Sequence, residues 1–176
     1  MRDSSPTDWR PVRVHDVHER WLPGTRASVG ALIDSLGSDD DRLWPHDEWV
    51  AVRFDRPLGV GASGGHGFVR YEVVDYDAGR LVRFRYRRPR GLVGEHRFET
   101  EPGAGDGRTV MRHVVEAETH GLMSLFWPWG AKPVHDAMIE DALDRAEAHL
   151  GGTPRARRRS LWVRFSRLNP ALRPSR

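Results

Sequence analysis

The residues that could do chemistry in this 176-residue chain are its nine histidines, three tyrosines and many arginines, because cysteine is absent. That absence excludes disulfides, thiolate metal sites and cysteine nucleophiles. His96 and His113 are the sharpest candidates. His96 is in strand phase with Phe98 and Thr100, and His113 with Met111, Val115 and Ala117. An imidazole among apolar neighbours is either a ligand hydrogen-bonding group and general acid or base, or a core histidine satisfied by Tyr86 or the backbone. The satisfied core histidine is the commoner arrangement. Metal binding is not expected. His15 and His18 are three apart on a strand and so point to opposite faces, and His135 and His149 lie more than three helical turns apart. Ser28, Ser35, Ser63 and Ser124 lie in no nucleophile elbow, so no catalytic residue is assigned.

Two further motifs are set aside. Asp39-Asp40-Asp41 reads as a solvated loop, since adjacent carboxylates seldom converge on one ion. Gly59-Val-Gly-Ala-Ser-Gly64 matches a dinucleotide-binding expression, but that motif must open a helix. Here Gly65-His-Gly67 and the strand-like Phe68–Tyr76 follow, so the stretch reads as an inter-strand loop.

The elements that must position these groups follow from periodicity. Val12–Leu22 reads as a first strand, polar enough for a sheet edge or a wet face. After Pro23-Gly24, Thr25 caps a helix with Val29, Leu32, Ile33 and Leu36 at helical spacing and Gly37 beyond its end. Glu48–Phe54 is a further strand candidate. Residues 67–120 form the most regular block: Phe68–Tyr76, Leu81–Tyr86, Glu95–Thr100 and Arg108–Thr119 alternate like strands, with turns at Asp77–Gly79 and Pro89–Gly94 and a loop at Pro102–Gly107. Together they predict an antiparallel meander with one apolar face. Gly121–Lys132, broken by Pro128, reads as a short helix or turn leading into Pro133–Leu150. That last segment would be a helix of about 27 Å. Val134, Met138, Ile139, Ala142, Leu143, Ala146 and Leu150 share half of its wheel, and Asp136, Glu140, Asp144 and Glu147 take the other. So wide an apolar face calls for a concave partner.

Composition suits one domain with a real core: 38% of the residues are hydrophobic and 30% charged. The expected division is a polar lead-in at 1–11, one domain at 12–150 and a basic tail at 151–176. The net charge of +3 conceals an asymmetry. Gly151–Arg176 holds eight arginines and no acid, so subtracting eight leaves the remainder near −5. Arg83, Arg85 and Arg87 are expected to pair with Glu72, Glu95 or Glu99 across strands, so nucleic-acid binding is not expected. In the tail, Leu161, Phe165, Leu168 and Leu172 recur at helical spacing. Ser160–Leu172 is therefore either a basic amphipathic helix for an anionic membrane or a partner, or a tail that is disordered or packed on its own domain. No signal peptide or membrane span is read, and the cytoplasm is the default expectation.

The order strand, helix, polar connection, meander, long helix resembles the helix-grip fold of the START-related superfamily (SRPBCC), which includes polyketide cyclases/dehydrases and lipid-transport proteins. The resemblance covers about Val12 to Leu150. Its carriers are Thr25–Leu36, Tyr76-Asp-Ala-Gly-Arg-Leu-Val-Arg-Phe84, the Met111/His113/Val115 strand and the terminal helix; the tail beyond Gly151 departs from it. It implies an α+β fold in which a curved antiparallel sheet wraps around the long C-terminal helix, with a cavity between them for lipids, polyketides or other apolar molecules. Expected ligand-binding residues are Phe84, Tyr86, His96, Phe98, Met111, His113, Met138 and Ala142, with Trp127 or Trp129 near an entrance, and no cofactor. Three functions follow in order: binding or transport of an apolar or amphipathic small molecule; an aromatase/cyclase-like enzyme that positions its substrate with Tyr86, His96 or His113; and a membrane-surface or protein adaptor acting through Arg155–Arg176.

Overall fold

The computed structural model describes residues 10–103 and 107–174. Residues 1–9 of the lead-in, residues 104–106 of the Pro102–Gly107 loop, and residues 175–176 lie outside the described residues.

Strand periodicity builds one seven-stranded antiparallel sheet from β1 (Val12–Pro23), β2 (Arg53–Phe54), β3 (Ser63–His66), β4 (Val69–Asp77), β5 (Leu81–Arg88), β6 (Leu92–Pro102) and β7 (Arg108–Thr119). Their spatial order is β1-β7-β6-β5-β4-β3-β2. The meander β4 to β7 forms the middle, and β1 is an edge strand that pairs in full register with β7, His18 lying opposite His113. Helix α1 (Arg26–Asp34) follows β1; the Thr25 hydroxyl accepts from the Ser28 amide, and Gly37 takes a φ of 74° past its end. One face of the sheet packs on the long helix α3 (Lys132–His149), which buries Val134, Met138, Ile139, Ala142, Leu143 and Ala146 against it. This is the helix-grip architecture, with a short helix after the first strand.

Three local expectations are corrected. Only Arg53–Phe54 of the stretch 48–54 pairs as a strand, because Glu48 and Trp49 fold back in a turn on the Pro45 carbonyl. The glycine-rich stretch is not wholly loop: Ser63–His66 pairs with β2 and β4. Glycine is required there, since a Cβ on Gly64 would lie 1.9 Å from the Arg53 carbonyl oxygen and Gly65 has a φ of 145°. Asp41, unlike Asp39 and Asp40, is buried and accepts from the amides of Gly37, Leu43 and Trp44. It organises the loop instead of being solvated in it.

The long helix is longer than its apolar period indicates. α2 (Leu122–Phe126) runs into it through a π-turn at Trp127–Ala131. There the Lys132 amide reaches back five residues to the Trp127 carbonyl. A wider turn accommodates Pro128, which has no amide to donate and would clash in a regular helix interior.

The chain beyond Gly151 is built onto the body. Arg157 pairs with Glu140 and Asp144, Arg159 with Glu48 and Asp141, and Arg167 with Glu48 while its guanidinium sits 5.2 Å from the Trp49 ring. Helix α4 (Leu161–Ser166) buries Val163, and Leu172 joins the core in the 3-10 turn Pro170–Leu172 while its carbonyl accepts from the Val50 amide. The opposite charges of tail and body thus meet in specific contacts. On the outer face, Arg85 pairs with Glu95, Arg87 with Glu72 and Arg83 with Asp75, and Glu99 takes Arg97 instead.

Candidate functional site

Between the concave sheet and the helices lies a cavity of about 580 Å³. The sheet contributes Phe84 and Tyr86 from β5, His96 and Phe98 from β6 and His113 from β7; the helical side contributes Trp127, Val134, His135, Met138 and Ile139. Strand alternation explains the first set, since residues two apart on one strand share a face. His66, Tyr71 and Trp44 close one side. Phe68, Phe126, Trp162, Phe165 and Leu168 border the same space and are partly open to solvent. Trp162 is held there by its indole N–H, which donates to the Gly130 carbonyl at 3.0 Å.

Seven of the residues expected at a ligand site therefore border one cavity: Phe84, Tyr86, His96, Phe98, His113, Trp127 and Met138. Two expected there do not. Met111 is fully buried two residues from His113, at the end of β7 where α1 packs on the sheet. Ala142 lies one turn beyond Met138, also fully buried, where α3 has closed onto the core. Trp129 is 83% exposed and does not border the space. Sequence reasoning missed His66, Tyr71, Trp44 and the contribution of α4. His66 sits among glycines that hid the strand carrying it.

The polar groups of the cavity form an aromatic and imidazole stack. The His96 ring lies 4.8 Å from Tyr86 and 4.9 Å from both Phe84 and Tyr71. His96 Nδ1 meets His113 Nε2 at 3.2 Å, and the His113 ring lies 5.1 Å from that of His135. Among the described residues, His66 Nδ1, His96 Nε2 and His113 Nδ1 are buried without a hydrogen-bond partner. Burial drives all three imidazoles toward the neutral form, His66 down to about 3 and His96 and His113 well below the usual histidine range. Burial also pushes the Tyr86 hydroxyl well above its ordinary value. At neutral pH His66, His96, His113 and Tyr86 are therefore uncharged donors and acceptors in an apolar wall. Such a wall can orient a carbonyl or hydroxyl, or exchange a proton with one.

Behind His135 lies a second, highly charged cluster. The inward face of β1 is polar, with Asp16, His18 and Arg20 at alternate positions, and it meets the acidic face of α3. Arg20 donates to Asp144 Oδ1 and Glu147 Oε2 at 2.7 Å and to Glu140 Oε2 at 2.9 Å. Lys132 Nζ lies 2.8 Å from Asp16 Oδ1 and 2.9 Å from both Asp136 oxygens. His18 Nδ1 lies 2.8 Å from Glu140 Oε1. Burial alone would depress His18, but the surrounding carboxylates of Asp136, Asp16 and Glu140 outweigh it and raise it to about 11. His18 and His135, each placed by the sequence in a pair too far apart or wrongly directed, come together here from different elements, their ring centroids 5.9 Å apart.

A curved antiparallel sheet gripping a long helix around an internal cavity is the helix-grip fold, the fold that START-related (SRPBCC) proteins share. Solved structures agree. Norcoclaurine synthase from Thalictrum flavum is similar at 13% identity with a TM-score of 0.59, over 82% of this chain and 98% of that one. The di-domain ARO/CYC StfQ of the steffimycin biosynthetic pathway aligns at 12% identity and a TM-score of 0.57, over 79% of this chain and 51% of its own. The protein XoxI from Bacillus cereus aligns at 10% identity and a TM-score of 0.56, over 77% of this chain and 94% of that one. No protein-family profile matches the chain, and no curated protein sequence does. No helix among the described residues is long and apolar enough to cross a membrane.

Proposed function

We propose that the protein binds or carries an apolar or amphipathic small molecule such as a lipid or polyketide in the cavity between sheet and α3. The observation that carries this reading is the cavity itself: about 580 Å³, walled by aromatic and aliphatic side chains and furnished with neutral imidazoles. That is room for a drug-sized molecule, with polar groups enough to orient it. The solved structures are consistent with this use of the fold; one structure of the Thalictrum enzyme is a complex with dopamine and hydroxybenzaldehyde. Native mass spectrometry of the freshly purified protein should show a co-purifying apolar ligand, or failing that a 1:1 complex with an added fatty acid or naphthalene-type fluorophore. Met138→Trp, which places an indole in the cavity, is expected to weaken that complex at least tenfold. Equal binding by Met138→Trp and the parent would overturn the reading.

A second reading, an aromatase/cyclase-like enzyme, is favoured by the unpartnered nitrogens of His96 and His113 beside Tyr86. A neutral imidazole is the form that can take a proton from a bound polyketide-type substrate. Tyr86→Phe and His113→Gln should then keep binding and lose turnover.

A third reading concerns delivery. Leu125, Trp129, Leu161, Phe165 and Leu168 are all more than half exposed, on α2, the π-turn and the C-terminal segment that together border the cavity opening. Such an apolar rim suits a lipid surface, although Arg157, Arg159 and Arg167 are already engaged with the body. Replacing Leu161, Phe165 and Leu168 together by serine should abolish sedimentation with anionic vesicles and leave the fold intact. Undiminished sedimentation excludes this rim.

A further inference from the structure

We propose that Asp16, His18, His135 and Asp136 form a binding site for one divalent transition-metal ion, zinc being the best match, which clasps α3 onto the edge strand β1. The argument is geometric. His18 Nε2 lies 3.5 Å from Asp16 Oδ2 and 3.4 Å from Asp136 Oδ1; His135 Nδ1 lies 3.5 Å and 3.6 Å from the same two oxygens. These separations are too long for good hydrogen bonds. They match the edge of a tetrahedron whose centre is about 2.1 Å from each corner, which is about 3.4 Å, and about 2.1 Å is the bond length of zinc to imidazole nitrogen and carboxylate oxygen. The remaining two separations also fall within 4.8 Å, so the four atoms surround one point.

The unsatisfied groups point the same way. Asp16 Oδ2, His18 Nε2 and His135 Nδ1 are all buried without a hydrogen-bond partner among the described residues. Three orphaned atoms in one spot would each cost stability unless something joins them. The surrounding shell is that of a metal centre. Glu140 Oε1, 2.8 Å from His18 Nδ1, keeps the proton on that nitrogen, so an ion at the centre displaces the one on Nε2. Lys132 anchors both aspartates, at 2.8 Å from Asp16 Oδ1 and 2.9 Å from each Asp136 oxygen, the ligand Oδ1 included. Two of the four ligands are carboxylates, Asp16 and Asp136, whose two negative charges a divalent cation complements. Mixed nitrogen and oxygen ligands favour a first-row transition metal over magnesium or calcium. Four protein ligands close the shell, so the ion is structural and does not depend on what the cavity binds.

Untagged protein, dialysed against chelator and then titrated with zinc chloride, should take up one equivalent at submicromolar affinity and melt at a higher temperature. Cobalt(II) should give the visible absorption of a tetrahedral site. Both signals should vanish in Asp16→Asn and His135→Gln, and Glu140→Gln should weaken zinc binding about 10- to 100-fold. If a ligand variant fails to fold, the stoichiometry and cobalt spectrum of the parent decide the matter. Absence of stoichiometric binding by the parent, or uptake undiminished in folded His135→Gln, overturns the proposal.

Discussion

Arg20→Ala should lower the stability of the protein by about 3–5 kcal/mol, the cost of breaking a buried ion pair by removing one partner. The guanidinium is 15% exposed and engages three carboxylates of one helix face, Glu140, Asp144 and Glu147. Without it these acids repel one another at close quarters, relieved by His18 at Glu140 and by the more exposed Arg157 at Glu140 and Asp144. For a chain of this size the loss corresponds to a fall in melting temperature of roughly 6–20 °C. Arg20→Lys should recover only part of it, because a single ammonium cannot reproduce a planar fork spanning three partners. Thermal unfolding decides the point, and a change under 1 kcal/mol for Arg20→Ala would show that the network is worth no more than a surface pair.

Acid should unfold the protein early, before its carboxylates titrate. His66 and His96 are buried and neutral, and their folded pKa values lie below the unfolded value of about 6.5. Burial is the main cause for both. The charge of His135 adds to it for both, that of Arg70 for His66, and that of His66 for His96; the rings of Trp44, Tyr71, Phe84, Tyr86 and His113 pack around them. Above pH 6.5 neither state binds these protons, and His66 and His96 contribute no pH dependence. Below it the unfolded chain takes up two protons that the folded chain refuses, so stability falls as pH falls. The slope approaches about 1.4 kcal/mol per pH unit for each histidine, or about 2.7 for the two. For His66 the loss continues until its folded value of about 3. Denaturant titrations at stepped pH between 7 and 4 measure this directly. His66→Phe should lessen the slope by about one proton, and an unchanged slope would show that His66 does not titrate in the buried site.

The fold was legible because its signals are local. Alternation in β4 to β7, the Thr25 cap and the apolar half of α3 are each set by periods of two or 3.6 residues. The inward phase of Phe84, Tyr86, His96, Phe98 and His113 followed from the same counting. What counting could not reach is where an element stops lining the cavity and starts packing on a neighbour. Met111 and His113 share a face, yet only His113 borders the cavity. The C-terminal segment was ambiguous for another reason: its amphipathic period is the same whether it meets a membrane, a partner or its own body. Only the placement of Glu48, Glu140 and Asp141 shows why Arg157 and Arg159 turn inward. The charged cluster was invisible because His18 and His135 are separated by more than a hundred residues and each was weighed only within its own element.

The register of β1 also fixes the order of events during synthesis. Its one strand partner is β7, with Val12 opposite Thr119, and its polar inner face is satisfied by α3. Every other strand and α1 emerge from the ribosome while β1 has neither. An early strand therefore waits, one edge unpaired and its Asp16, His18 and Arg20 solvated, until more than a hundred later residues have been made. Loop closure over that separation makes its docking a late and slow event. In the interval the nascent β4 to β6 meander exposes the β6 edge that β7 will take, and that edge is where premature pairing with another chain would begin.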